Sequence, residues 1–335
     1  MIELDVNALA SDIYYRRSYI SLYENDAEYF EYTYQEGQSR IRFCSLKRRI
    51  DNVLGVPISD ELYDLETPYG YGGPLSNSED QGFLNRAFAA YKSHCKQHNI
   101  VCEFIRFHPL NPLAKHSFLF NMCRIERHVV AVELTEKDTR RSQYSKTTRN
   151  IIKKAESQLD IEHNALEIDQ FSQFYFHTME RNKAEKFYFF DNSYFHALLA
   201  TGWTELLAVK YQGTYASLGL FMIGNELAHY HLSANNHELM HKNGNYLLLD
   251  AAFELARSHG CQYMLLGGGR TAQKEDSLFL FKSKFSKKTL PFYIAGIDFM
   301  PEKRIELNKL WCELSTTAEI PARFQLYRAL EPNHG

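Results

Sequence analysis

One order of elements occurs twice along these 335 residues, and it restricts the fold more than any single motif does. In the second half, Trp203 to Lys210 is apolar and strand-like, and Gln212-Gly213 is a natural hairpin turn. Thr214 to Ile223 resumes the strand pattern after it, and Gly224-Asn225 turns the chain again. Leu227 to Ala234 then alternates, with His229, His231 and Ser233 on one side. A polar loop, Asn235 to Asn243, leads into Tyr246 to His259, where Leu248, Ala252, Leu255 and Ala256 recur at helical spacing and Gly260 supplies the stop. A short apolar strand, Gln262 to Leu266, ends in Gly267-Gly268-Gly269. The pattern predicts three antiparallel strands, a crossover helix and a parallel strand.

The first half follows the same plan. Phe30 to Tyr34 and Ile41 to Leu46 flank a turn at Gly37, and Leu62 to Leu65 is a third short strand. After the loop Tyr69 to Asp80, Leu84, Ala87, Phe88, Tyr91 and Cys95 line one helical face. His98-Asn99 ends that helix, and Ile100 to Phe107 is the next strand. The likeness lies in element order, not residue identity; two unrelated α/β domains are the alternative.

Two copies need two cores, and the length passes the size at which a single core stops growing. The expected fold class is α/β (α+β): a first domain over 1–138, a basic linker helix over 139–158 and a second domain over 159–335. Each domain is expected to hold a mixed, mostly antiparallel sheet. The linker carries Arg140, Arg141, Lys146, Arg149, Lys153 and Lys154, with no acid between Thr139 and Ala155. On a helix Lys146, Arg149 and Lys153 share one face while Ile151, Ile152 and Ala155 turn inward. That face reads either as a solvated surface or as a dock for a phosphate-bearing ligand.

A net charge of −3 excludes bulk attraction to nucleic acid, and no DNA partner is expected. The composition, 44% hydrophobic with only 9 Pro, excludes a disordered or collagen-like chain. The six cysteines contain no C-x-x-C pair, so reduced, mostly buried thiols in a cytoplasmic protein are expected, with no metal site. Met1-Ile2-Glu3-Leu4-Asp5 does not resemble a signal sequence, and no apolar run reaches the ~18–20 residues of a membrane span.

The segment Pro68-Tyr69-Gly70-Tyr71-Gly72-Gly73-Pro74 sets glycines and tyrosines in a loop that leads to a helix. Gly72 and Gly73 permit close approach of a ligand to backbone N–H groups, and Tyr69 and Tyr71 offer flat faces and hydroxyls. A tight turn with packing aromatics is the alternative. Glu66, just before it, is a candidate to hold or deprotonate an acceptor. Arg106 and His108 end a parallel strand, where ligands approach α/β sheets; Arg106 either grips an acceptor phosphate or pairs with an acid such as Glu103. Arg181, among Phe174, Tyr175, Phe176 and Phe187 to Phe190, is a cleft candidate, and the aromatics themselves read as core.

Several segments together resemble the FemAB-like branch of the GNAT acyltransferase superfamily, also called BioF2-like acetyltransferases. They are Tyr63 to Leu75 (YDLETPYGYGGPL), the basic linker, Met179-Glu180-Arg181 with Tyr188-Phe189, and Leu266 to Gly269 with Asp276-Ser277-Leu278 and Phe281-Lys282. The likeness runs from about residue 25 to 330. It implies two tandem GNAT-like domains and transfer of an acyl group to an amine, with no bound cofactor. The implied co-substrate is an acyl-coenzyme A or an aminoacyl-tRNA, and the implied acceptor a cell-envelope glycan or amino-sugar precursor.

On this resemblance Lys282 occupies the family's Phe-Lys position and is expected to stabilise the oxyanion or leaving oxygen, with Phe281, Gly267 and Gly268 on the donor side. His229 and His231 lie on the strand that borders the donor carbonyl in GNAT folds; they are candidate bases or satisfied core side chains. An ordinary GNAT cradles the coenzyme A pyrophosphate with R/Q-x-x-G-x-G/A before its crossover helix. Here His237 to Asn245 keeps only Gly244 of that pattern, so Lys242, Gly244 and Asn245 are the candidate donor contacts. The expected activity is therefore N-acyl transfer with an unresolved donor, charged tRNA included. A catalytically idle paralogue that binds a glycan or nucleotide is the competing expectation.

Overall fold

The computed structural model describes residues 6–184, 188–317 and 319–330, so Phe187 lies outside the described residues. The described chain divides into two compact units. One takes residues 6–10, 23–126 and 292 onward; the other takes 11–22 and 127–291.

In the first unit β1 (Glu28–Glu36) and β2 (Ser39–Arg49) form a hairpin around Gly37. β3 (Tyr63–Glu66) lies antiparallel to β2. The helix α1 (Gln81–Gln97) then crosses over to β4 (Ile100–Arg106), which runs parallel to β3. The helix forms where expected because Asp80 caps it, accepting the N–H of Phe83 at 2.7 Å. One face buries Leu84, Ala87, Phe88, Tyr91 and Cys95 against Phe43, Leu65 and Ile105.

The chain continues through β5 (Met122–Glu133), α2 (Lys137–Ser142), α3 (Lys146–Glu156), β6 (Asp160–His163), α4 (Ile168–Arg181) and α5 (Asn192–Ala200). The second sheet follows with β7 (Thr204–Tyr211), β8 (Thr214–Ile223) and β9 (Leu227–Asn235), then α6 (Gly244–Ser258) and β10 (Tyr263–Gly267). In the second unit the strand order is β6-β7-β8-β9-β10-β5, antiparallel throughout except for the parallel pair β9 and β10. Both units thus realise the repeated plan: three antiparallel strands, a crossover helix and a parallel strand. Val130, Val209, Phe221, Leu248, Ala252 and Phe253 belong to the core of the second unit. Phe171, Tyr175 and Phe195, on α4 and α5, are buried and pack edge-on or stacked, as expected of core aromatics.

The unit boundaries differ from the expected division at 138 and 158. After α7 (Ser277–Lys282), the strand β11 (Thr289–Asp298) pairs antiparallel with β4 from Ile294↔Arg106 to Asp298↔Cys102, which returns the C-terminal chain to the first unit. Trp311, on α8 (Pro301–Leu314), joins Ile50, Val101, Leu326 and Tyr327 in a buried cluster there. Tyr327 and the guanidiniums of Arg48 and Arg328 converge on the fully buried Asp64. Residues 11–22 join the second unit because Tyr14 packs edge-on against His229 and Tyr19 lies near Trp203.

The expected linker helix is two helices built into the second unit. Arg140 is 2% exposed and bonds to Glu254 at 2.6 Å and Asp250 at 3.5 Å; Arg141 reaches Asp250 at 2.5 Å. Thr148, Ile152 and Ala155 are the buried face of α3, while Lys146, Arg149, Lys153 and Lys154 are exposed. All six cysteines are free of disulfides, and among the described residues no helix is long and apolar enough to cross a membrane.

Candidate active site at a split strand pair

The parallel strands β9 and β10 are paired only at Leu227↔Tyr263, Ala228↔Met264 and His229↔Leu265. Beyond these residues β9 continues alongside β8 to Asn235, while β10 bulges toward β5, with Gly267 opposite Val130. Lys282, the last residue of α7, reaches across this parting. Its ammonium donates to the carbonyl of Gly268 at 2.8 Å and lies 5.5 Å from the ring centroid of Tyr230. One contact is just past the end of β10 and the other is on β9 just past the last pair. Carboxyl ends of parallel strands are where α/β sheets receive ligands.

Lys282 is 7% exposed, and among the described residues no carboxylate pairs with it. Burial pulls its pKa down to about 7; Asp276 works against that shift and Arg127 adds to it. The loop beside it is held from both sides. Arg127 donates from Nη1 to the carbonyls of Gly269 and Arg270 at 2.9 and 3.2 Å. Asp276 accepts the N–H groups of Arg270, Thr271, Leu278 and Phe279. Gly269 is required by that closeness, since a Cβ would stand 2.4 Å from Asp276 Oδ1.

The two candidate histidines lie on the other face of β9. Side chains alternate along a strand, and Tyr230, stacked on Phe221, is the residue turned toward Lys282. His229 bonds Asp12 Oδ2 at 2.8 Å, and His231 meets the Tyr194 hydroxyl at 2.7 Å. Burial first, and the neighbouring His229 second, drive the pKa of His231 down to about 3, so it stays neutral and is a weak base. Both are buried and hydrogen-bonded on the face of β9 away from Lys282, as the core alternative describes.

The other candidates of this unit are dispersed. Lys242 lies 3.9 Å over the Tyr211 ring, Gly244 opens α6, and Asn245 is in its first turn. Arg181 donates to the carbonyl of Asn235 at 3.3 Å, at the end of β9. Arg149 donates to the carbonyls of Tyr144 and Ser142 at 2.5 and 3.2 Å, and with Lys153, Asp138 and Glu156 it lines a cavity of about 620 Å³. Phe281 packs edge-on against Tyr246 at 5.1 Å.

In the first unit the equivalent parting is closed by the glycine-rich loop itself. Gly72 forms a parallel bridge with Phe107 and accepts the N–H of His108 at 2.9 Å. Gly73 has φ of +94°, and a Cβ there would lie 2.7 Å from the Phe107 ring. These glycines admit a neighbouring side chain, where close approach of a ligand was expected. Tyr71 is 8% exposed, edge-on to His108 and Phe292; Tyr69 is half-buried. The loop does not feed the helix directly, because Leu75 and Ser76 pair with β2 first. Glu66 is held at 2.5 Å by both Arg48 and Arg106. Burial raises its pKa, but the two guanidiniums outweigh that and hold it below the usual carboxylate range, so it is a poor base. Arg106 therefore pairs with Glu66, not Glu103.

Tyr230, Arg127 and Asp276 were not among the residues expected to form the site. Tyr230 was legible as the residue between two candidate histidines, since strand alternation sets it on the opposite face. Arg127 carried no signal, because its role depends on β5 lying beside β10.

The chain repeats an α/β plan, and in the second unit its parallel strands part beside a buried lysine. Residues 139–275 match the family described as Acetyltransferase (GNAT) domain. Among solved structures the chain is similar to FemX, with a TM-score of 0.71 and 13% identity over 91% of this chain and 98% of that one. It is also similar to the C-terminal domain of a putative lysylphosphatidylglycerol synthetase from Agrobacterium fabrum: TM-score 0.53, 13% identity, 87% of this chain and 89% of the other. A conserved protein of unknown function from Bacteroides thetaiotaomicron gives a TM-score of 0.51 at 10% identity, with 84% and 90% covered. No curated protein matches the sequence.

Proposed function

We propose that the chain is a cytoplasmic N-acyltransferase that moves an acyl group to an amine of a cell-envelope glycan or amino-sugar precursor. The observation that carries this reading is Lys282, a buried amine with no carboxylate partner among the described residues, set where β9 and β10 part. A neutral acceptor nitrogen attacks the acyl carbon, the C–N bond forms, and the bond from carbon to the leaving oxygen or sulfur breaks. The ammonium of Lys282 steadies the tetrahedral oxyanion or gives its proton to the leaving atom, and the proton lost by the amine restores it. The fixed Gly268 carbonyl and Tyr230 ring position that ammonium. Within the unit that holds Lys282, Arg149 and Arg181 are the proposed acceptor contacts, and the start of α6, with Lys242, Gly244 and Asn245, the donor side.

The donor is an acyl-coenzyme A or an aminoacyl-tRNA. The reduced pyrophosphate pattern at 237–245, with Lys242 resting on Tyr211, favours the aminoacyl donor, as does likeness to a protein named lysylphosphatidylglycerol synthetase. Titration with labelled acetyl-coenzyme A and with charged tRNA separates the two, since tRNA binding weakens steeply with salt. With the productive donor, Lys282→Ala is expected to lower kcat by roughly 100- to 1,000-fold, the usual cost of losing an oxyanion donor. Unchanged turnover refutes the role of Lys282; ligand binding with no turnover of either donor favours the idle paralogue.

A further inference from the structure

Beside the Lys282 loop, within the second unit, lies a cavity of about 320 Å³. Arg127, His128, Thr271, Gln273, Lys274 and Phe279 supply most of its wall, and among the described residues no carboxylate lines it. The cavity at α2 and α3 is different, since Asp138 and Glu156 share its wall with the cations. Asp276 keeps its negative charge behind the loop, where it accepts backbone N–H groups and the Thr271 hydroxyl, so the cations Arg127 and Lys274 of the wall outnumber it. Arg127 is fixed in the wall by the two carbonyls it holds, whereas His128 and Lys274 are exposed and form no ion pair among the described residues. Gly269 is also in the wall, and the residue before it accepts the hydrogen bond of Lys282.

We propose that this cavity binds the phosphate of a phosphate ester, gripped by Lys274, His128 and Arg127, with Phe279 as an apolar floor; the Thr271 hydroxyl donates to Asp276 at 3.2 Å and is not part of the grip. Its volume is at the low end of the roughly 300–1,000 Å³ of ligand pockets. It therefore suits a diphosphate with part of its attached sugar, not a whole coenzyme. Two ligands compatible with the proposed reaction carry such a group: an acyl-coenzyme A, if that is the donor, and a nucleotide-linked form of the acceptor precursor; the phosphodiesters of a charged tRNA do not. The inference rests on the acyl-transfer reading only for which of these supplies the phosphate.

The test is calorimetric titration with sodium pyrophosphate at low ionic strength, followed in parallel by the NMR signal of the His128 ring. Pyrophosphate is expected to saturate the protein and shift that signal. Lys274→Glu, at an exposed position, is expected to weaken binding by about tenfold or more, the scale of a charge-assisted hydrogen bond. Lys287→Glu makes the same charge change on an exposed lysine outside the cavity and is expected to leave affinity within about twofold, because exposed charges are screened. Equal affinity for wild type and Lys274→Glu, equal weakening by Lys287→Glu, or no saturation up to ~10 mM would overturn the site. Coenzyme A and uridine diphosphate, titrated separately into both variants, identify the source by which one loses affinity with Lys274. Pyrophosphate binding without transferase turnover leaves the site standing and refutes the acyl-transfer reading; turnover with binding indifferent to Lys274 does the reverse.

Discussion

Lys282 is a lysine that folding makes hard to charge. Between its folded pKa of about 7 and its ordinary value of 10.5, the unfolded chain binds a proton that the folded one lacks, so stability rises with pH across that window. Lys282→Met removes the cost of burying the ammonium. Thermal melts at pH 6 are expected to show the variant with the higher Tm, and the gap to shrink toward pH 10. If the ammonium is the working form in catalysis, kcat for the wild type falls as pH climbs past about 7. Loss of that limb in a Lys282→Arg variant with residual activity checks the assignment. Glu103 has the opposite sign. Burial pushes its carboxyl up to about 7, against the hydrogen bonds from Ser45 and Tyr91, so stability falls as pH rises from about 4.5 through 7. Glu103→Gln is expected to melt above the wild type at pH 8 and level with it near pH 4.5, by calorimetry.

Among the elements, the two crossover connections show how one plan yields two outcomes. In the first unit the chain folds back after β3 and fills the parting with Gly72 and Gly73; in the second the parting holds Lys282. Gly73→Ala adds a methyl against Phe107 at a positive φ and is expected to cost about 1–3 kcal/mol. Gly37→Ala, at φ of +56° with nothing within 4 Å, is expected to cost about 1 kcal/mol or less. Urea denaturation of the pair measures the difference. The strands and crossover helices were legible because periods of 2 and 3.6 residues and turn chemistry are local properties. The glycine-rich loop was legible as a close approach, but whether a ligand or Phe107 fills the space depends on a residue 34 positions away, by the numbering of Gly73 and Phe107.

At the scale of the whole molecule, each unit takes chain from distant parts of the sequence. Trp311 is 1% exposed, donates from Nε1 to the Ala329 carbonyl at 2.8 Å, and packs in the first unit near Ile50 and Val101. Trp311→Ala is expected to destabilise that unit by roughly 3–5 kcal/mol, seen as a lower denaturation midpoint. Nothing in the local pattern of 292–330 assigns it to the first unit. The assignment comes from backbone pairing of β11 with β4 and from the buried charges around Asp64, which depend on contacts far apart in sequence.

The amino-acid sequence alone determined the element order, its duplication, the resemblance to a GNAT branch and the choice of Lys282 as a candidate, because each is written in short-range spacing or in a motif. Tertiary structure decided which face of β9 that lysine meets, that His229, His231 and Glu66 are already engaged, and that Arg127 and Asp276 brace the loop. Hydrogen bonds and burial between distant residues set those outcomes, and no local period encodes them.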